Sequence, residues 1–408
     1  MPTYTHNTLV AVSPFTRQEE GDDVIIGRLD TGVFLAVPAA AVEVLDHLAQ
    51  GKSVGEVARL SQSEVSDLND FLSDLEANGI VKPIAANGEA YSDVKQPPVK
   101  RYHFSNFPQS VAQRIFSRPV LIGTFAVIGL ALAALFFDPS IWPHGRDLYF
   151  TNHRTIIWTI LLIVSYGSVV LHESAHLIAT RALGINSRLG FGNRLWDFVV
   201  EADLSGLWSV PKHQRYLPLL AGSIFDALTS ALLVLLLYAH NHYGVAIEPL
   251  KLQVLRAVTF TYMTRIFWQT FMFVRTDYYY VIATIFNCRN LMSDTEDFLR
   301  NQIARFVPRV RPVNQAAIPK SERRIISIYS LVWVGGRILA FTFFFSVTIP
   351  LVRRYIGNIF HTLAAGFAAH PSDVIDSVLM MFYFILPVTL GLMIWLPNVG
   401  RRLRALVS

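Results

Sequence analysis

Short bursts of apolar residues, spaced as in half-buried elements, occupy roughly the first ninety positions of the chain. From Pro119 onward they give way to unbroken apolar runs separated by basic loops. In the first region, "DDVIIGRLDTGVFLAV" (Asp22–Val37) predicts two strands around a tight Asp-Thr-Gly turn. "PAAAVEVLDHLAQG" predicts a helix that opens at Pro38 and stops at Gly51. "SVGEVARL" opens with a capping-box pair, Ser53 and Glu56. "SEVSDLNDFLSDLEANG" places Val65, Leu68, Phe71, Leu72 and Leu75 at helical spacing and ends at Gly79. "IVKPI" then predicts an extended return. Strands followed by three short helices describe a small α+β, winged-helix-like domain over residues 1–90, and the Pro-rich "KQPPVKRYHF" lies in a linker and basic flank over 91–118.

In the second region, 119–408, the apolar runs are long enough to count against the ~20 residues needed to cross a bilayer. Six spans are expected: Pro119–Phe137, Thr155–Thr180, Tyr216–His240, Leu252–Val274, Ile325–Val352 and Val374–Leu396. "DYYYVIATIFN" (Asp277–Asn287) is too short to cross alone. Basic residues gather before the first span, between the second and third, between Arg289 and Arg324, and at Arg401, Arg402 and Arg404. That asymmetry predicts a multi-pass protein of the cytoplasmic membrane with both termini inside, although Arg353 and Arg354 fall on the other side.

Composition agrees with the pattern. Of the 408 residues, 52% are apolar and only 16% charged, too apolar for an ordinary soluble chain. The net charge of +5 is better explained by the membrane flanks than by nucleic acid. The predicted third helix of the first domain is acidic, with Glu64, Asp67, Asp70, Asp74 and Glu76, which argues against DNA there too. A single cysteine, Cys288, excludes an internal disulfide and a cysteine-based zinc cage. The first twenty residues lack a basic start followed by an apolar core, so no signal peptide is expected and the first domain should be cytoplasmic.

Within the second span lies "LHESAHLIAT" (Leu171–Thr180). His172 and His176 are one helical turn apart on the same face, so their imidazoles can converge on one ion. Glu173 is rotated about 100° from His172, which suits a general base better than a ligand. The plainer alternative is a set of polar residues inside a helix bundle, or a proton path. Zinc needs a third protein ligand, for which Asp277, Asp226, Glu201 and Asp203 are candidates. Asp277 matches the expected depth best, and Arg275 nearby would help keep it ionised.

These residues resemble the site-2 protease family of intramembrane zinc metallopeptidases, over about Thr155 to Asn290. The family's later motif, Asn-x-x-Pro-x-x-x-x-Asp-Gly, falls on Gln269, Met272, Asp277 and Tyr278, with only the aspartate retained. Its Ala-Gly-Pro-x-x-Asn falls on Ala221, Gly222, Ser223 and Asp226. The resemblance implies His172, His176 and Asp277 as zinc ligands and Glu173 as the catalytic base. Asp226 and Gln269 are then expected against the substrate backbone. "NSRLGFGNRLWDFVVEADLSGLWSVP" (Asn186–Pro211) reads as a short β-element folding over the active site.

The first domain is similar to the RiPP recognition element, a peptide-binding module, over about Asp22–Ile84. That likeness implies capture of the leader of a ribosomally made precursor peptide. The edge strand "GVFLAV", with Val33, Phe34 and Leu35, and a groove wall of Leu68, Phe71 and Leu75 are the expected contacts. The combined expectation is a membrane metalloprotease that matures such a peptide. Rival readings are a regulated protease acting on a membrane-bound regulator, and a non-catalytic export or immunity protein. The precursor peptide and the bilayer are the expected partners, nucleic acid is not, and a homo-oligomer is compatible with the sequence.

Overall fold

A computed structural model describes residues 4–21, 23–85, 88–90, 97–99, 102, 106–148, 154–194, 197–288, 290–316, 318–350 and separate positions between 353 and 397. The chain divides into two compact units. One comprises Met1–Ala112, Leu177–Leu189 and Ala202–Pro218; the other comprises Gln113–His176, Gly190–Glu201 and Leu219–Ser408.

The first unit is built on β1 (Leu9–Val12), β2 (Thr16–Glu20), β3 (Asp23–Arg28), β4 (Val33–Pro38), α1 (Ala39–Ala49), α2 (Val54–Leu60), α3 (Val65–Ala77) and β5 (Val81–Ile84). Strands β2, β3 and β4 form an antiparallel sheet in that order, which makes β4 an edge, and β1 pairs antiparallel with β5. The turns follow from local chemistry. Ser53 and Glu56 complete a reciprocal capping box, and Gly51 and Gly79 take the left-handed conformation that ends α1 and α3. The core joins Ile26 and Val37 of the sheet to Leu45, Leu48, Val57, Leu68, Leu72 and Leu75 of the helices.

Two expectations change here. Leu68 and Leu75, expected to wall a peptide groove, are buried in this core, because a domain so small has few other large apolar side chains to fill it. Glu76, expected on an acidic solvent face, is fully buried and accepts a 2.9 Å hydrogen bond from the Tyr4 hydroxyl. Glu64, Asp67, Asp70 and Asp74 are exposed, and Phe71 is half-buried.

A 3₁₀ turn at Ser205–Ser209 packs on the β2–β3–β4 sheet within the same unit. Gly206 lets the turn lie against Ile185, since a Cβ there would lie 2.6 Å from the Ile185 side chain. The β-element expected between the second and third spans is present as two paired strands, β6 (Arg188–Arg194) and β7 (Asp197–Asp203).

The remaining elements are helices α4 (Gln109–Ile115), α5 (Arg118–Phe137), α6 (Arg154–Ala182), α7 (Lys212–Tyr243), α8 (Pro249–Trp268), α9 (Asp277–Ile285), α10 (Leu291–Ala304) and α11 (Lys320–Phe343). Among the described residues, four helical stretches are long and apolar enough to cross a membrane: Gln109–Phe137, Thr159–Ala182, Lys212–Tyr243 and Glu322–Ser346. The expected fourth span, Leu252–Val274, is not among them. Its helix carries Lys251, Arg256 and Arg265 and stops at Trp268, where the chain turns toward α9. The expected sixth span lies partly outside the described residues, as do much of the linker and the terminal arginines. In the second unit, Ala131, Ala134 and Leu135 of α5 pack with Ala231, Val234 and Leu237 of α7.

Candidate metal centre

Helix α6 has two unlike faces. Ile163, Val170 and Leu171 are exposed, whereas His172, Glu173 and His176 are buried on the other side. Their spacing of one turn brings the two imidazoles together, with Nε2 atoms 3.2 Å apart. Asp277 Oδ2 lies 3.2 Å from His172 Nε2 and 3.3 Å from His176 Nε2. The three residues form a buried group able to hold a metal ion. The fit is geometric as well as compositional. Edges of 3.2, 3.2 and 3.3 Å match one face of a tetrahedron whose corners stand about 2.0 Å from a central ion, the range of nitrogen and carboxylate ligation.

Gly222 of α7 gives an independent measure of the same space. A Cβ on this residue would lie 2.4 Å from His176 Nε2 and 2.5 Å from His172 Nε2. The missing methyl therefore leaves open the volume in front of both ring nitrogens.

Asp277 is placed by the segment between α8 and α9. It is the first residue of α9, where a carboxylate complements the positive helix end. The Gln269 side-chain oxygen accepts a hydrogen bond from the Asp277 backbone N–H at 3.1 Å, filling one of the donor positions a helix start leaves open. Thr276 Oγ1 donates to the Gln269 carbonyl at 2.7 Å, closing the segment on itself. Ser223 Oγ donates to Asp277 Oδ2 at 3.1 Å. Arg275, expected to support Asp277, instead directs Nε at the Met292 sulfur, 3.3 Å away, and takes a left-handed backbone conformation.

Asp226 and Gln269, expected against substrate, both turn inward. Asp226 is fully buried, with Oδ2 2.8 Å from His172 Nδ1. A carboxylate in that position orients the imidazole and keeps its proton on Nδ1, leaving Nε2 free for an ion. Gln269 is buried, and its side-chain oxygen is committed to Asp277. Of the other third-ligand candidates, Asp203 pairs with Arg188 at 3.1 Å. Neither Asp203 nor Glu201 belongs to the metal-capable group. In the first unit, Val33, Phe34 and Leu35 are half-buried on the edge strand β4, and the Phe34 ring covers Gly27 of β3.

Arg265 and Ser168 were not expected at the site, and Ser223, matched only to a motif position, had no expected role there. For Arg265 a signal existed in the sequence: an arginine inside an apolar run requires a buried partner, and Asp226 is the acid one helix earlier. Comparison of the chain with family models, curated proteins and solved structures returned no match.

Proposed function

We propose that the protein is a membrane-embedded zinc metalloprotease of the site-2 type. Its substrate is a ribosomally made precursor peptide, and its N-terminal domain captures that peptide's leader. The observation that carries the reading is the closed triangle of His172, His176 and Asp277, with Glu173 buried beside it on α6. Two imidazoles and one carboxylate leave the fourth tetrahedral position open, the ligand count of catalytic rather than structural zinc sites. Zinc bound there supplies Lewis acidity toward a peptide carbonyl and toward water. Glu173 is the proton carrier: its carboxylate takes a proton from the attacking water and delivers it to the departing amine. Asp226 orients His172, and Ser223 with Gln269 holds Asp277 in place.

The distribution of basic loops supports both termini in the cytoplasm. On that side, edge strand β4 accepts an extended peptide through main-chain hydrogen bonds, and of the expected groove wall Phe71 is the residue left half-buried. Exposed Glu64, Asp67, Asp70 and Asp74 on α3 favour a leader of basic character.

The test compares the peptides of host cells carrying wild type or Glu173→Gln by mass spectrometry. A precursor should accumulate only in the variant, with cleavage reduced by roughly 10²–10⁴-fold. Metal analysis of the purified proteins should show zinc retained in Glu173→Gln and depleted in His172→Ala and Asp277→Ala. Near-normal cleavage by Glu173→Gln would defeat the mechanism.

A further inference from the structure

The second unit contains a half-buried arginine, paired with a fully buried aspartate, that lies behind the metal-capable triangle and touches none of its Nε2 or Oδ2 atoms. Arg265 of α8 donates from Nε to Asp226 Oδ2 at 2.9 Å and from its NH2 group to Asp226 Oδ1 at 2.5 Å. Its remaining NH1 group donates to Ser168 Oγ of α6 at 2.5 Å, and Ser168 Oγ in turn donates to the Ser165 carbonyl at 2.8 Å. The guanidinium stands over the Tyr262 ring, 4.9 Å from its centre. All three nitrogens of Arg265 therefore have partners, and the carboxylate they hold is fully buried. Asp226 Oδ2 takes a hydrogen bond from Arg265 on one side and faces His172 Nδ1 on the other.

We propose that Arg265 is a positioning residue of the metal centre: through Asp226 it fixes the orientation of His172, and it supplies the charge that lets an aspartate serve that role inside an apolar bundle. The proposal rests on the metal reading of His172. A carboxylate can orient a ligating imidazole only if it is itself held, and a lone buried carboxylate is costly. A fork of two parallel N–H donors fixes the plane of the carboxylate, which one ammonium group cannot do. Arg265 simultaneously grips α6 one turn before His172, through Ser168, so the imidazole and the carboxylate that orients it share one anchor. Three helices, α6, α7 and α8, are thereby tied at one point.

The experiment measures metal affinity of the full chain in detergent or nanodiscs, by competition of Zn²⁺ against a chromophoric chelator. The absorption spectrum of the Co²⁺-loaded protein reports ligand geometry. Arg265→Gln should weaken zinc binding by about 10-fold, the low end of the roughly 10–100-fold range for loss of a partner held directly on a ligand, and should alter the cobalt spectrum. Arg265→Lys, which keeps the charge and loses the fork, should weaken it by a smaller but measurable factor. The double variant Asp226→Asn, Arg265→Gln removes both charges while keeping an acceptor for His172, and should bind zinc more tightly than Arg265→Gln but, lacking the fork, less tightly than wild type.

Arg265→Gln binding zinc as tightly as wild type, with an unchanged cobalt spectrum, would overturn the proposal and leave the metal reading intact. So would a double variant no better than Arg265→Gln. A loss confined to thermal stability would assign Arg265 to the fold alone and overturn the proposal equally. Wild-type protein that takes up no zinc, or that keeps it in His172→Ala, would remove the metal reading and this proposal together.

Discussion

Two arginines, buried Arg215 in one unit and half-buried Arg265 in the other, use the same chemistry to different ends. Arg215, at the start of α7, donates to Glu20 of β2 at 2.7 Å and to the Val210 carbonyl at 2.9 Å, and stands over the Trp208 ring at 4.7 Å. Arg265 likewise has a carboxylate partner and an aromatic face, Asp226 and Tyr262. The Arg215 contacts end where they begin: Glu20 lies on an edge strand, and one guanidinium nitrogen has no partner among the described residues. Those of Arg265 continue through Asp226 to His172. A buried ion pair that closes on itself joins pieces of the fold, whereas one that continues into a ligand sets the geometry of that ligand.

The largest effect expected from breaking this contrast is at Gly222. Its missing Cβ leaves open the volume beside both Nε2 atoms, so Gly222→Ala should exclude the ion while leaving Arg265 and Asp226 paired. Zinc per chain should fall to near zero, a larger loss than for Arg265→Gln, and resistance of the N-terminal domain to protease should not change. Full zinc occupancy in Gly222→Ala would mean that the ion sits elsewhere.

A smaller effect is expected at Arg215. With Arg215→Met, Glu20 keeps a side chain only 11% exposed and loses its cation, at a cost on the order of 3 kcal/mol. Pulse proteolysis of the full chain should show the N-terminal domain opened at lower urea concentration, with zinc affinity unchanged. Adding Glu20→Gln should restore much of the loss. If Arg215→Met changed zinc affinity as Arg265→Gln is expected to, the distinction between a joining pair and a positioning pair would fail.

The same contrast explains what could be read from the sequence. The histidines at His172 and His176 were legible because a helical turn fixes their relation without any tertiary knowledge. The helices α1 to α3 were legible from Pro38, Ser53, Gly51 and Gly79, whose preferences are local. Strand β2, "TRQEE", was missed because it has no apolar alternation, and its pairing with β3 is what makes it a strand. The setting of Glu76 was not legible, for a physical reason. A charge on a short polar helix reads as solvated, and only the fold shows that the Tyr4 hydroxyl meets it. Asp226 and Gln269 are legible as candidates, but their contacts with His172, Arg265 and Asp277 are not, since position along a helix does not say which neighbour a side chain faces.

The smallest effect concerns a third arginine, as covered as Arg265 but paired with a carboxylate that is open to solvent. Arg28 of β3 holds Asp30 in the hairpin turn and donates to the Gly79 carbonyl at 2.5 Å, tying that turn to the end of α3. The Arg28 guanidinium holds the Asp30 carboxyl below the usual carboxylate range. A carboxyl whose pKa is lowered by folding adds stability that is present above its unfolded value, near 4, and is lost as pH falls through the folded value. Because the Asp30 side chain is 46% exposed, solvent screens the pair and the contribution should stay below about 1 kcal/mol. Asp30→Asn should therefore be slightly less stable than wild type at pH 7, with the difference shrinking as pH falls toward 3, when unfolding of the N-terminal domain is followed by pulse proteolysis. The comparison between variants at each pH cancels the other carboxylates that titrate in this range, Asp46 beside Arg17 among them. A difference that stayed constant between pH 7 and pH 3 would show that Asp30 acts through the shape of the turn, by its hydrogen bond from the Thr31 N–H, and not through its charge on Arg28.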